Sequence, residues 1–126
     1  MSSYRSSRRT SCTEEHRVRA LAVALILEGK AEEAIRILSK HYKIPTPKIV
    51  MGARGRYDIY GCYDPRRREI CLRDSGIYVN PFVVLHEFYH HLRSVQGRHR
   101  GVEKYADKYA VDSINYYREG CHLTSK

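Results

Sequence analysis

Apolar residues recur at helical spacing near the N-terminal side of the chain. The positions that form this stripe are Val18, Leu21, Ala22, Leu25 and Ile26. Further apolar residues occupy the other faces, so the pattern predicts a helix that is buried on most sides. Ser11 and Glu14 match the capping-box pattern, which would begin the helix at Cys12. Gly29 is suited to end it, because glycine readily adopts the left-handed conformation that follows many helices.

Three further segments have the pattern of helices. Residues 31–42 carry a second apolar stripe, and the prolines that follow forbid its continuation. Asn80 and Pro81 combine an N-cap residue with proline at the first helical position, which predicts a helix over 81–95. A last helix is predicted over 102–118, where apolar residues again recur at helical spacing.

The middle of the chain changes to short apolar and aromatic runs. Residues 48–53, 57–63 and 69–73 read as strands, and residues 64–68 form a turn signal between the last two. We therefore expect an α+β fold. N-terminal helices would precede a small mixed sheet of about three strands, and two more helices would follow the sheet.

The chain is short and basic. Its 126 residues include 23 Lys and Arg against 14 Asp and Glu, a formal net charge of +9. Residues 1–11 are rich in Ser and Arg, which predicts a flexible basic arm ahead of a single domain over 12–126. Further basic residues cluster at 66–68 and between 93 and 104. This charge suits either an acidic peptide or a nucleic acid, although no nucleic-acid-binding motif supports the second partner.

Membrane insertion and secretion find little support. A membrane-spanning helix needs about 20 consecutive apolar residues. No apolar stretch in the sequence reaches that length, so we expect no membrane partner. The N-terminus has the basic and apolar parts of a signal peptide, but Glu14 and Glu15 lie between them. No small-residue cleavage site follows the apolar part. We expect a cytoplasmic protein, with secretion as the alternative.

The four cysteines permit two disulfides. Cys62 and Cys71 fall on the two arms of the predicted hairpin and could face each other. Cys12 and Cys121 would then join the two ends of the domain. Four buried thiols are the alternative, and the spacing does not decide between them. A finger-type zinc site is not expected, because no two cysteines are spaced as such sites require.

The segment with the most informative chemistry is the H-E-x-x-H sequence inside the helix predicted over 81–95. His86 and His90 are spaced by about one helical turn and can bind one zinc ion together. Zinc lowers the pKa of a bound water, and Glu87 would take its proton. His91 is expected at the surface or capping a groove. The apolar residues that would pack this helix onto the core are Leu85, Phe88 and Leu92.

Acidic residues in the following helix could complete the site. Glu103 could join the two histidines as a third ligand, and Asp107 lies one turn further on. Asp107 could accept the second N–H of His86 and so fix its tautomer. His99 is an alternative third ligand, but its separation from His90 matches no pattern that we can justify. We therefore expect a His-His-Glu site that holds one Zn²⁺ per chain.

The order H-E-x-x-H, then E-x-x-x-D on a following helix, resembles the gluzincin metallopeptidases, and the small size resembles the compact minigluzincins. The resemblance covers residues 80–118, and the element order upstream is similar. It implies a minimal zincin-like domain with an active-site helix and a glutamate helix. The resemblance also implies that His86, His90 and Glu103 are the zinc ligands. Glu87 would be the general base and acid, and Asp107 would be the carboxylate that contacts one of the ligands.

Two classes of function follow. The first is a zinc-dependent endopeptidase that hydrolyses peptide bonds with Glu87 as general base. The second is a non-catalytic or latent protein of the same fold, with a regulatory or nucleic-acid-associated binding role. In zincins generally the substrate lies along an edge strand, which here would come from 57–73. The group that stabilises the oxyanion is not identified; the candidates are Tyr109, Tyr116, Tyr117 and His122.

Overall fold

The computed structural model of the protein describes residues 11–52, 60–97 and 103–123. Its helices are α1 (Glu14–Leu27), α2 (Ala31–Tyr42), α3 (Ser75–Tyr78), α4 (Pro81–Val95) and α5 (Glu103–Arg118), followed by a 3-10 turn (Cys121–Leu123). Its strands are β1 (Lys48–Met51), β2 (Gly61–Asp64) and β3 (Glu69–Leu72). The α+β class is confirmed. The predicted basic arm, except residue 11, lies outside the described residues.

The start of α1 differs from the prediction. The helix begins at Glu14 and not at Cys12, because Thr13 and not Ser11 is the capping residue. The Thr13 hydroxyl accepts the N–H of His16 at 3.0 Å, and the His16 ring nitrogen accepts the N–H of Thr13 at 3.2 Å. A histidine thus takes the part that Glu or Gln usually plays in a capping box.

The small mixed sheet is confirmed. Strand β2 ends one residue later than predicted and β3 one residue earlier, whereas residues 53 and 57–59 of the predicted strands lie outside the described residues. Its order is β1-β3-β2; β3 is parallel to β1 and antiparallel to β2. In the turn between β2 and β3, the Asp64 carboxylate accepts the N–H groups of Arg66 at 3.0 Å and Arg67 at 3.3 Å. Arg68 completes the turn with a left-handed φ of 53°. Among the described strands, β1 and β2 therefore form the two edges.

One of the two possible disulfides is present and the other is absent. Cys12 and Cys121 are joined, which ties the start of α1 to the turn after α5. Cys62 and Cys71 lie directly opposite each other on β2 and β3 but are not joined. The N–H of Arg73 donates to the carbonyl of Tyr60, so the alternating ladder makes Cys62 and Cys71 a hydrogen-bonded pair. Such pairs hold their Cβ atoms further apart than the about 3.8 Å of a disulfide.

The sheet packs closely on α4, which brings β2 beside the H-E-x-x-H segment. Gly61 of β2 marks this approach: a Cβ there would lie 3.0 Å from the Cys71 carbonyl oxygen and 3.1 Å from the Val83 Cγ1 atom. A side chain at this position would push β3 or α4 away by a few tenths of an ångström. The core joins these elements to α1 and α2; its largest fully buried side chains include Phe88, Ile26, Ile35, Leu38, Ile70, Leu72 and Leu85.

A buried polar network attaches α5 to the two N-terminal helices. The Arg19 guanidinium donates to the Ser113 hydroxyl and to the Tyr109 carbonyl, both at 2.9 Å, and lies 3.9 Å over the Tyr109 ring. The Tyr42 hydroxyl donates to the Glu15 carboxylate at 2.7 Å and lies 3.0 Å from the Tyr109 hydroxyl. We call these five residues the Arg19 network. It holds α5 against α1 and α2. Within the described residues, no helix is both long and apolar enough to cross a membrane.

Candidate metal centre

The helix α4 begins and ends as its sequence predicts. Asn80 caps it: its side-chain oxygen accepts the N–H of Phe82 at 3.0 Å, and Pro81 occupies the first turn. One face of the helix is buried in the core through Val84, Leu85, Phe88 and Leu92. His86 and His90 lie off that face and point toward the first turn of α5. The two imidazoles are therefore available to a cleft.

Three side chains from α4 and α5 converge on one point. The His86 Nε2 atom lies 3.0 Å from Glu103 Oε1, and the His90 Nε2 atom lies 3.3 Å from Glu103 Oε2. The two Nε2 atoms are 3.3 Å apart. One ligand atom from each residue falls within 4.8 Å of the others. Two imidazole nitrogens and a carboxylate oxygen form a donor set that zinc accepts, so the group fits a metal ion.

Asp107 contacts His86 at the ring nitrogen that faces away from Glu103. Its carboxylate lies 2.9 Å from His86 Nδ1, at the end of the ring opposite the convergence point. A carboxylate accepts, so Nδ1 carries the hydrogen and donates it. The lone pair of His86 Nε2 is then directed toward His90 and Glu103. This is the contact that the spacing predicts for a carboxylate that holds a metal-ligating histidine in one tautomer.

Glu87 lies beside this group and is buried. Its side chain lines the same cleft as His86, His90 and Glu103. Burial raises the pKa of the Glu87 carboxyl group to about 7; the nearby His86 opposes this rise and the negative charge of Glu103 adds to it. A carboxyl group with a pKa near 7 can both accept and donate a proton at neutral pH.

A cleft of about 520 Å³ lies over the convergent group. Its lining residues are Gly61, Cys62, Tyr63, Pro65, His86, Glu87, His90, Ser94 and Glu103. The strand β2 therefore forms one wall and the helix α4 the other. A smaller cavity of about 150 Å³ adjoins the N-terminal end of α4, between the aromatic rings of Tyr60 and Phe82. Together these features give the site an open groove with an edge strand along it.

His91 is buried, so its predicted surface position is wrong. The side chain is fully inaccessible and bridges three parts of the fold. Its Nε2 atom donates to the Pro45 carbonyl at 2.8 Å, which leaves Nδ1 to accept the Tyr63 hydroxyl at 2.7 Å. Burial lowers the pKa of His91, and the charge of Arg68 lowers it further. The spacing Val84, Phe88, His91 on the apolar face of α4 was a signal for this burial.

The tyrosines considered for the oxyanion role lie elsewhere. Tyr109 is buried in the Arg19 network, where burial raises its pKa to about 12. Tyr116 stacks on His16, with ring centroids 4.0 Å apart, and Tyr117 stacks on His122 at 4.8 Å. These candidates are not among the described residues that line the cleft. Their packing role, which the abundance of tyrosine in the chain also indicated, accounts for their positions.

Comparison with known proteins adds no second line of evidence. No family model, no curated protein and no solved structure matches this chain. The alternative ligand His99 lies outside the described residues. The assignment of function therefore depends on the geometry of the convergent group and the cleft.

Proposed function

We propose that this chain is a zinc-dependent metallopeptidase that hydrolyses peptide bonds in the cleft between β2 and α4. The observation that carries the proposal is the convergence of His86, His90 and Glu103, with Glu87 buried beside them. A site that served structure alone would have no use for a buried carboxyl group next to the ligands. The likeness of the sequence pattern to the gluzincins agrees with this interpretation.

The three convergent residues would hold the ion. The chemistry that bound zinc supplies is the polarisation of a carbonyl group and the increased acidity of water. Asp107 supports this role, since its contact with His86 Nδ1 keeps the Nε2 lone pair directed at the site. Glu103 has a side chain that is 79% exposed and can adjust its position as a ligand binds.

Glu87 would move the proton during hydrolysis. Its carboxylate would accept a proton from the attacking water, and its carboxyl group would then return that proton to the leaving amine. Its pKa, raised to about 7 by burial, suits both steps near neutral pH. His86 and His90 remain as ligands on either side of it, one helical position before and three after.

The peptide would bind along β2. Strand β2 lies at an edge among the described strands and its residues line the cleft. An extended peptide could therefore pair with the backbone N–H and C=O groups on its outer edge. The small cavity between Tyr60 and Phe82 would receive one side chain of that peptide. This arrangement would hold a scissile bond across the convergent group, which is what orientation in catalysis requires.

The test compares the wild type with Glu87→Gln, both with measured zinc content, on a peptide library analysed by mass spectrometry. We expect cleavage by the wild type and a loss of about a thousandfold in the variant, because a positioned general base contributes that much. Both proteins should bind the same amount of zinc, since Glu87 is not a ligand. If the zinc-loaded wild type and zinc-loaded Glu87→Gln produced identical peptide profiles, the proposed peptidase activity would be excluded.

A zinc-binding role without turnover is the second candidate. It is favoured by the positions of Tyr109, Tyr116 and Tyr117, which place none of these hydroxyl groups at the cleft. None of these three hydroxyl groups is then placed to act as the oxyanion donor that peptide hydrolysis needs. Zinc binding without peptide cleavage, in the experiment above, would select this candidate.

A further inference from the structure

The two ends of β2 differ in chemistry. Beside Gly61, the aromatic rings of Tyr60 and Phe82 are 55% and 37% exposed. The Arg73 guanidinium lies near this end, but it stacks 4.5 Å over the Tyr60 ring and pairs with Asp74 at 3.3 Å. Its charge is therefore already matched. This end of the groove presents apolar surface to an occupant.

The other end of β2 leads directly into three arginines. Arg66, Arg67 and Arg68, which we call the basic turn, are exposed and follow Pro65, a lining residue of the cleft. Within the described residues, Arg66 and Arg68 have no ion-pair partner at all. The pair between Arg67 and Asp64 is long, at 3.9 Å, and Arg67 is 62% exposed. This end therefore offers positive charge that the described part of the chain leaves largely unpaired.

The charge of the basic turn reaches the wall of the cleft. Burial raises the pKa of the Tyr63 hydroxyl, and the positive charge of Arg68 opposes that rise. Tyr63 lines the cleft between β2 and α4. An anionic group that lies in the groove beside Tyr63 is thus within the electrostatic influence of the turn.

A peptide matches this groove better than a nucleic acid does. The edge of β2 offers a ladder of backbone groups that only another peptide backbone can pair with. Glu87 and Glu103 also bring carboxyl groups to the centre of the cleft, which disfavours an evenly charged polyanion. A peptide can instead carry its negative charge at one end alone.

We propose that the cleft selects extended peptides that carry Asp or Glu at the end beside the basic turn. A peptide residue opposite Asp64 lies three positions from one opposite Gly61, because β2 and a paired strand advance together. The acidic side chains therefore belong about three positions from the residue at the apolar end. This inference rests on the proposed function, and it adds the class of substrate.

The experiment measures binding, so it does not depend on turnover. Labelled peptides carry a Glu pair at the N-terminal end, a Glu pair at the C-terminal end, or Gln pairs at both. Their affinities for zinc-loaded Glu87→Gln are measured by fluorescence anisotropy at low ionic strength. We expect one of the two Glu peptides to bind about tenfold more tightly than the Gln peptide. The other should bind less than about threefold more tightly, because its charge meets the apolar end.

Arg67→Glu and Arg36→Glu, each in the Glu87→Gln background, form a matched pair for this test. Both arginines pair with an acidic residue three positions earlier, and their side chains are 62% and 58% exposed. Arg36 lies on α2, outside the lining of the cleft. Arg67→Glu should reduce the preference for the favoured Glu peptide by about fivefold, and Arg36→Glu should leave it within about twofold.

Several results would overturn the inference. Equal effects of the two arginine variants, or equal affinity for both Glu peptides, would assign the binding to the net charge of the chain. Competition by a single-stranded oligonucleotide that is itself weakened by Arg67→Glu would assign the basic turn to nucleic acid. Peptide cleavage by the wild type without an acidic preference would support the proposed peptidase activity and exclude the preference for acidic peptides. An acidic preference without cleavage would support the preference for acidic peptides and exclude the proposed peptidase activity.

Discussion

The helix α5 has two regions that are constructed differently. In its first turns, Glu103 and Asp107 are 79% and 57% exposed and contact the histidines of α4. Further along, Tyr109 and Ser113 are buried and receive the guanidinium of Arg19 from α1. We call the first the open region and the second the closed region. One helix therefore carries both an accessible polar cluster and an internal polar network.

The difference lies in how each region satisfies its polar groups. In the closed region, the donors of Arg19 meet acceptors that the chain itself provides, and the Tyr109 ring covers the charge. In the open region, imidazole nitrogens and a carboxylate oxygen lie close together and converge on one point. Protons, hydrogen-bond donors such as water, or an added cation can satisfy them. The closed region is thus suited to stability, and the open region to binding.

The largest expected effect concerns the disulfide that fastens the closed region. Cys12 and Cys121 are separated by 109 positions, and joining them restricts the unfolded chain. Replacing both with Ser should lower the free energy of unfolding by about 4 to 5 kcal/mol. Urea unfolding measures this, with Cys62→Ser as the control, because Cys62 forms no disulfide. Equal unfolding midpoints for the wild type and the double variant would contradict the expectation.

The next effect tests the Arg19 network directly. Arg19→Met should lower the free energy of unfolding by about 3 kcal/mol, because it leaves buried partners without their donor. Lys108→Met on α5 is the control: Lys108 forms a pair with Asp112 but is 69% exposed. That substitution should cost less than about 0.5 kcal/mol. Similar losses in the two variants, by chemical denaturation, would show that the closed region has no special role in stability.

Zinc should stabilise the protein through the open region. At a free zinc concentration about one hundred times the Kd, the free energy of unfolding should rise by about 2.7 kcal/mol. His90→Ala should remove this gain, whereas Glu87→Gln should keep it, since Glu87 is not a proposed ligand. Unfolding curves with and without zinc measure the difference. A gain that persists in His90→Ala would place the ion elsewhere.

The smallest effect separates ligand orientation from stability. Asp107→Asn should weaken zinc binding by about tenfold, because the amide no longer fixes the His86 tautomer. Its effect on the unfolding of the zinc-free chain should stay within about 0.5 kcal/mol, since the side chain is exposed. Competition with a chromophoric chelator measures the affinity, and Asp112→Asn on the same helix is the control. Identical affinities for the two variants would remove the proposed role of Asp107.

Features that depend on neighbours along the chain were predictable. The bounds of α4 agree with the sequence because Asn80 and Pro81 begin a helix by local hydrogen bonding and backbone restriction. The shared orientation of His86 and His90 follows from the helical repeat. Even the error at the start of α1 was small, since Thr13 and Ser11 carry the same capping group two positions apart.

Features that depend on contacts between distant parts of the chain were harder to predict from the sequence. A disulfide between Cys62 and Cys71 was left open because they share a hairpin, but strand register made them a hydrogen-bonded pair that is not joined. His91 was expected at the surface or capping a groove because it lies one helical step from His90. It is buried instead, and Tyr63 and Pro45 supply both of its hydrogen bonds in the interior. Its spacing on the apolar face of α4 indicated burial, but no local pattern identified the distant groups that it would contact.

Local chemistry was thus sufficient to predict the element types, the helix α4 and the identity of the residues that could hold a metal. Those properties arise from hydrophobic spacing, capping and side-chain donors, all of which can be read within a few residues. Packing alone decided that Glu103 and Asp107 reach the histidines, that β2 forms the wall of the cleft, and that the Arg19 network is closed. These outcomes are decided by folding because they require groups far apart in the chain to meet at hydrogen-bonding distance, and helical or strand periodicity does not specify such meetings.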